Sequence, residues 1–131
     1  MRKNFIIIFL FFFNLVLLSN PVRYKVLFVE GSDSYDEYIN SFYIEKMLIS
    51  WNIPFDKLKV GQRITIDLLK NGITIQYSSV ILSRSSYYLN NEEINILKNL
   101  SRDYGLSVMS FFNFIDERLA PIFGIKSFSG L

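Results

Sequence analysis

Tyr77-Ser78-Ser79-Val80-Ile81-Leu82-Ser83, a polar and aromatic loop, Asn91-Glu92-Glu93-Ile94-Asn95-Ile96-Leu97-Lys98-Asn99-Leu100 running on to Tyr104, and then Gly105-Leu106-Ser107-Val108-Met109-Ser110-Phe111-Phe112 decide the fold of this chain. A short apolar run rich in branched residues, an amphipathic helix closed by glycine and a second apolar run form a βαβ unit, whose strands must lie parallel. Asn90 or Asn91 caps the helix, Glu92 and Glu93 complement its amino end, and Ile94, Leu97, Leu100 and Tyr104 are its expected buried stripe. Gly105 fits the left-handed position after the last turn.

Upstream, Arg23 to Gly31 reads as a first strand, since Val26-Leu27-Phe28-Val29 is a continuous apolar run of the kind that is covered on both faces. Ser34 and Glu37 have capping-box spacing, and the helix they open should run to about Ser50. Its expected stripe is Tyr35, Ile39, Phe42, Met47 and Trp51, widened by Ile44, Leu48 and Ile49. Asn52-Ile53-Pro54 stops it. Phe55 to Val60 is a short, partly charged second strand suited to a sheet edge. Ile64 to Ile75 is expected to be a small excursion, hairpin-like about Asn71-Gly72 or irregular, with Asp67-Leu68-Leu69 open to a helical turn. Ile115 to Leu119 reads as a short helix, and Pro121 to Gly124 as a break.

These elements predict an α/β fold, an open and mostly parallel three-layer sheet of the flavodoxin or glutamine-amidotransferase-like kind, with strand order 2-1-3-4 by the right-handed crossover rule. Four strands are few for that architecture, and the fourth lacks an obvious neighbour. The expectation is an incomplete sheet, residues 23–131 being the amino-terminal part of a longer protein or one whose edge a partner chain or downstream domain covers.

Residues 1–22 stand apart. Met1-Arg2-Lys3-Asn4 precedes a Phe5 to Leu18 run interrupted only by Asn14, followed by Ser19-Asn20-Pro21. A basic start, a run shorter than the roughly 20 residues of a membrane span and a polar exit are the layout of a secretory signal peptide, cleaved between Ser19 and Arg23. No small-x-small pair marks the cut, so an uncleaved membrane anchor is the alternative. The expected location is secreted or cell surface.

Of 14 Lys and Arg, Arg2 and Lys3 leave with the leader, so 12 basic residues face 12 acidic ones. A neutral domain argues against nucleic acid as a partner, which requires clustered cations. The chain has no cysteine and no histidine. It must be stable without disulfides, and the commonest general base and zinc ligand are unavailable to it. No cofactor or metal is implied.

Ligand crevices in open α/β sheets lie beyond the carboxyl ends of the strands where strand order reverses, here Glu30 to Asp36 opposite Ser83 to Tyr88. Glu30 and Asp33, with Asp36 and Glu37, are suited to a cation, an amino sugar or sugar hydroxyls; equally, they suit a capped helix start with acids complementing its dipole. Ser83-Arg84-Ser85-Ser86-Tyr87-Tyr88 offers hydroxyls, a guanidinium and two aromatic faces. Such groups stack on and hydrogen-bond to pyranoses, or simply cover the sheet end. Glu30, Asp33, Arg84, Tyr87 and Tyr88 are therefore the candidate ligand-binding residues. Ser83 as a nucleophile lacks flanking glycines and a histidine base, and Glu30-Gly31-Ser32-Asp33-Ser34 has too few glycines for a phosphate loop.

The chain resembles glutamine-amidotransferase-like α/β domains that occur without catalytic machinery in bacterial and fungal surface proteins. The likeness lies in Val26-Leu27-Phe28-Val29, Trp51-Asn52-Ile53-Pro54-Phe55-Asp56, Tyr77-Ser78-Ser79-Val80-Ile81-Leu82, Leu89 through Tyr104-Gly105, and Leu119-Ala120-Pro121-Ile122-Phe123-Gly124-Ile125. More narrowly it is similar to the amino-terminal carbohydrate-binding domain of secreted fungal polysaccharide deacetylases of the galactosaminogalactan type, through Pro54-Phe55, Tyr77 to Ser83 with Tyr87, and Tyr104-Gly105-Leu106-Ser107-Val108-Met109. Ser107 stands where that pattern has arginine. An amidotransferase of this fold uses a Cys-His-Glu triad, so the resemblance implies the fold without the activity. It implies a non-catalytic module for a polysaccharide or amino-sugar polymer, any catalysis lying in a downstream deacetylase domain. Pairing through an exposed sheet edge at the cell surface is the alternative function, and a serine hydrolase the least supported.

Overall fold

The computed structural model describes residues 25–31, 34–84, 88–111 and 117–123. The leader or anchor segment, Asp33, Tyr87, the amino-terminal part of the expected Ile115 to Leu119 helix and the stretch after Phe123 lie outside the described residues.

The elements in order are β1 (Val26–Val29), α1 (Tyr35–Ser50), β2 (Phe55–Leu58), α2 (Ile66–Leu69), β3 (Lys70–Asn71), β4 (Thr74–Ile75), β5 (Ser79–Leu82), α3 (Asn91–Tyr104), β6 (Ser107–Ser110) and a 3-10 turn at Ala120–Phe123. The main sheet runs β2-β1-β5-β6, and all three pairings are parallel, with Phe28 opposite Lys57 and Ile81, and Ile81 opposite Met109. The chain is thus an α/β protein with a four-stranded parallel sheet in the order expected from its crossovers.

Strand alternation sorts the core into two clusters. Val26, Phe28 and Ile81 pack with Ile44 and Leu48 of α1 on one face. Leu27, Val29, Val80, Leu82 and Val108 pack with Ile94, Leu97 and Leu100 of α3 on the other. The second cluster is the larger because the β2 to β5 connection joins it through Ile64, Leu69 and Tyr77. Every residue of β1 is buried, as its unbroken apolar run requires, whereas β6 buries Val108 and leaves Met109 exposed.

In α3 the Asn90 side chain accepts the Glu93 N–H while the Glu93 carboxylate accepts the Asn90 N–H, each at 2.8 Å, and Gly105 closes the helix at φ 70°. Tyr104 departs from the expected stripe: it is half exposed, its hydroxyl receives Lys70 Nζ and its ring lies 4.3 Å below that ammonium. The excursion is both a turn of helix, capped by Thr65 Oγ1 on the Leu68 N–H, and a short hairpin in which Asn71 pairs with Thr74 and the chain turns at Gly72-Ile73, one residue later than the expected Asn71-Gly72. Tyr77 then donates to Asp56 Oδ2 at 2.7 Å and pins it to β2.

Helix α1 keeps only Ile44 and Leu48 of its expected stripe in the core. Its buried positions are Glu37, Ser41, Ile44 and Leu48, and Tyr35, Phe42 and Trp51 point outward. Apolar residues lie around most of the helix, so periodicity alone could not orient it. The small and polar Ser41 faces inward because the strand ends beneath need a hydrogen-bonding group more than bulk.

Candidate functional site

At the carboxyl end of the sheet the chain leaves β1 toward α1 and β5 toward α3, which makes this the point where strand order reverses. The two strand ends are not held apart as a crevice. A Cβ placed on Gly31 would stand 2.5 Å from the Ser83 carbonyl oxygen and 2.9 Å from the Arg84 Cα, so glycine is required for the two backbones to approach this closely. Ser41 of α1 locks the junction. Its hydroxyl accepts the Gly31 N–H at 3.0 Å, donates to the Gly31 carbonyl at 2.8 Å and lies 2.8 Å from Ser83 Oγ. Either hydroxyl can be the donor across that contact, since each carries one proton and has a carbonyl within reach. Ser83 is fully buried and its hydroxyl also lies 3.3 Å from the Glu37 carbonyl, an arrangement that orients β5 against α1 and gives no support to Ser83 as a nucleophile.

Arg84 is only 4% exposed. Its Nε donates to the Glu30 carbonyl at 3.2 Å, Nη1 to that of Gln62 at 2.9 Å and Nη2 to that of Lys59 at 3.0 Å. The planar fork suits three acceptors arriving from different segments, and it staples the turn after β2 to the ends of β1 and β5. Three of its five N–H groups are therefore structural, which leaves the guanidinium as the polar floor of a site more than as its reaching arm.

Glu30 faces another way. Its carboxylate lies 3.4 Å from Lys57 Nζ, which in turn sits 2.6 Å from Glu45 of α1. The Glu45 hydrogen bond, and then the two carboxylate charges, hold the Lys57 ammonium above its ordinary range against the opposing effect of burial. Glu30 thus joins β1, β2 and α1 rather than lining the recess that holds Arg84 and Tyr88.

That recess has a volume of about 220 Å³ and is lined by Val60, Gly61, Gln62, Arg63, Arg84 and Tyr88. Tyr88 is 51% exposed at its rim. Arg63 Nη1 donates to the Tyr88 carbonyl at 3.1 Å and to Glu93 Oε2 at 3.0 Å. The other oxygen of Glu93, a nearly fully buried carboxylate, accepts the Ile64 N–H at 2.9 Å. One acidic residue of the α3 capping box therefore positions both the turn that forms one wall and the arginine beside the tyrosine.

Of the five expected ligand residues, the structure brings Arg84 and Tyr88 to one recess, sends Glu30 to a separate ion pair, and does not describe Asp33 or Tyr87. Gln62, Arg63 and Glu93 were missed. Gly61-Gln62-Arg63 carried a turn signal, and Gly61 does adopt φ 84°, but only the tertiary fold shows that this turn stands against Tyr88. A second groove of about 450 Å³ lies between α3 and the 3-10 turn, lined by Lys98, Arg102, Asn95, Asn99 and Ser101 with Pro121 and Ile122. Among the described residues no group of three or more Asp and Glu could hold a metal ion, and no helix is long and apolar enough to cross a membrane. Comparison with known proteins returns no match among family models, curated proteins or solved structures.

Proposed function

We propose that this chain is a non-catalytic, carbohydrate-associated recognition module, of three-layer flavodoxin or glutamine-amidotransferase-like architecture, belonging to a secreted or cell-surface protein that modifies a polysaccharide. The observation that carries the reading is the recess rim, lined by the half-exposed Tyr88 and by Arg63, whose side chain is 58% exposed and whose guanidinium bonds the Tyr88 carbonyl, above a buried polar floor. A flat ring covers the apolar face of a pyranose while guanidinium N–H groups address its hydroxyls, and a shallow open recess suits one or two units of a polymer. The two residues come from separate segments, and the Arg63 guanidinium is held by the Tyr88 carbonyl and the Glu93 carboxylate. Calorimetric titration with chitosan or another amino-sugar polymer tests the reading: saturable heat in the wild type, lost in Tyr88→Ala, supports it, and equal heats remove Tyr88 from the site.

A second reading, pairing through the sheet edge, is favoured by β6. Among the described residues it is hydrogen-bonded on one side only, it carries no charge from Ser107 to Ser110, and Met109 and the following Phe111 are each about half exposed. Uncharged edges without proline are open to another strand. Association in the absence of sugar, abolished by Met109→Lys, is its signature.

A further inference from the structure

Arg84 is a buried cation whose charge no carboxylate answers. Among the described residues it forms no ion pair, and the three acceptors it does bond, on Glu30, Lys59 and Gln62, are neutral carbonyls. Those bonds employ one N–H on each nitrogen, so the second N–H of each Nη has no acceptor among the described residues. Carbonyl dipoles solvate a guanidinium but leave its charge in place, and a charge taken out of water is ordinarily paired. The neighbouring carboxylates are engaged elsewhere. Glu93 gives one oxygen to the Ile64 N–H and the other to the Asn90 N–H and Arg63. Glu30 lies on the opposite face of the sheet, with Lys57 and Glu45 of α1. Ser83 bonds Ser41 on that face, so the next residue, Arg84, turns to the α3 side.

We propose that the recess over Arg84 takes an anionic group, a carboxylate, sulfate or phosphate carried on a sugar, which supplies the charge that the fold leaves unanswered. Arg84 lines the recess together with Arg63. Arg63 and Glu93 cancel one another, which leaves Arg84 and the exposed Lys59 as a local surplus of positive charge. That surplus belongs to this turn and not to the domain, whose 12 basic residues after the leader match its 12 acidic ones. A guanidinium suits an anionic oxygen group better than a hydroxyl, because hydrogen bonds between charged partners are shorter and stronger. The same charge repels the ammonium of an unsubstituted amino sugar. The inference rests on the reading of the recess as a carbohydrate site and narrows it: among amino-sugar polymers, those that also carry an acidic group are favoured.

The isotopically labelled full chain is titrated at constant ionic strength with sodium glucuronate, a glucose phosphate ester, glucose and glucosamine, and with sodium sulfate as an anion without a sugar. Nuclear magnetic resonance follows the amide signals of Gly61, Gln62, Arg63 and Tyr88 and the Arg84 Nε–H, with Lys98 and Arg102 of the second groove for comparison. The test uses the wild type alone and so does not depend on an Arg84 variant folding. Saturable shifts at the recess are expected with glucuronate or the phosphate ester, at an affinity roughly 10-fold above that for glucose, and glucosamine should bind no better than glucose. The stronger of the two acids tells a carboxylate from a phosphate ester. Glucose or glucosamine binding as tightly as both acids overturns the proposal and leaves the carbohydrate reading standing. Sulfate binding as tightly as the acidic sugars supports the anion site and removes the sugar from it. No saturable shift with any anion, or equal shifts at Lys98 and Arg102, overturns the proposal.

Discussion

Ser41 Oγ and Ser83 Oγ stand 2.8 Å apart at the buried junction of α1 with the ends of β1 and β5. Ser41 has the larger role, because it also satisfies both the N–H and the carbonyl of Gly31. Removing it leaves several buried polar groups without their partner, whereas removing the Ser83 hydroxyl leaves Ser41 still bonded to Gly31. Ser41→Ala should therefore cost roughly 2 to 3 kcal/mol and Ser83→Ala about 1 kcal/mol. Urea unfolding midpoints of the two variants give the order, and a larger loss in Ser83→Ala would contradict it.

Arg84 predicts a second effect. Lysine keeps the charge but has one nitrogen where arginine presents a planar fork to the carbonyls of Glu30, Lys59 and Gln62. Arg84→Lys should lose roughly 2 to 3 kcal/mol of stability. Amide exchange should accelerate through residues 59–63 before it does in α3. Wild-type stability in Arg84→Lys would return the guanidinium to a ligand-facing role.

Tyr77 and Asp56 give a pH dependence. Burial first, and then the Asp56 carboxylate it bonds, push the Tyr77 phenol up to about 12. An acid whose folded value is raised binds its proton more tightly when folded, so this contribution is constant below about pH 10 and is lost as pH rises from 10 toward 12. The Asp56 carboxyl is held below its usual range, chiefly by the Lys25 hydrogen bond at 2.6 Å and next by Tyr77. Its contribution is present above about pH 4 and is lost as pH falls through the depressed folded value. That acid limb should be small and salt-sensitive, because Lys25 and Asp56 are both near half exposed. Denaturation midpoints followed with pH should show the alkaline decline in wild type, and Tyr77→Phe should remove the part of it that belongs to this phenol.

The strand order and the α3 helix were legible in the sequence because each rests on several agreeing local signals. Asn90, Glu93 and Gly105 mark both ends of α3, and Ile94, Leu97 and Leu100 supply its buried stripe. The orientation of α1 was not legible, since its apolar residues occupy most of its circumference and its inward face is fixed by what Gly31 and Ser83 need across the fold. The site was half legible. Ser83, Arg84, Tyr88 and the end of β1 do lie at the point of strand reversal, but Arg84 is turned into the backbone and Glu30 toward Lys57 by contacts with β2 and the turn after it. Those contacts join residues more than 20 positions apart, and no local pattern announces them.

The recess is most directly tested by comparing Tyr88→Ala with Tyr38→Ala in titrations of the full chain with a soluble amino-sugar polymer. Both tyrosines are exposed, one at the recess rim and one on α1, so neither substitution should unfold the protein. Loss of binding in Tyr88→Ala with wild-type binding in Tyr38→Ala is the predicted result. Undiminished binding in Tyr88→Ala, or no saturable binding by the wild type, would contradict the assignment of the recess as a carbohydrate site.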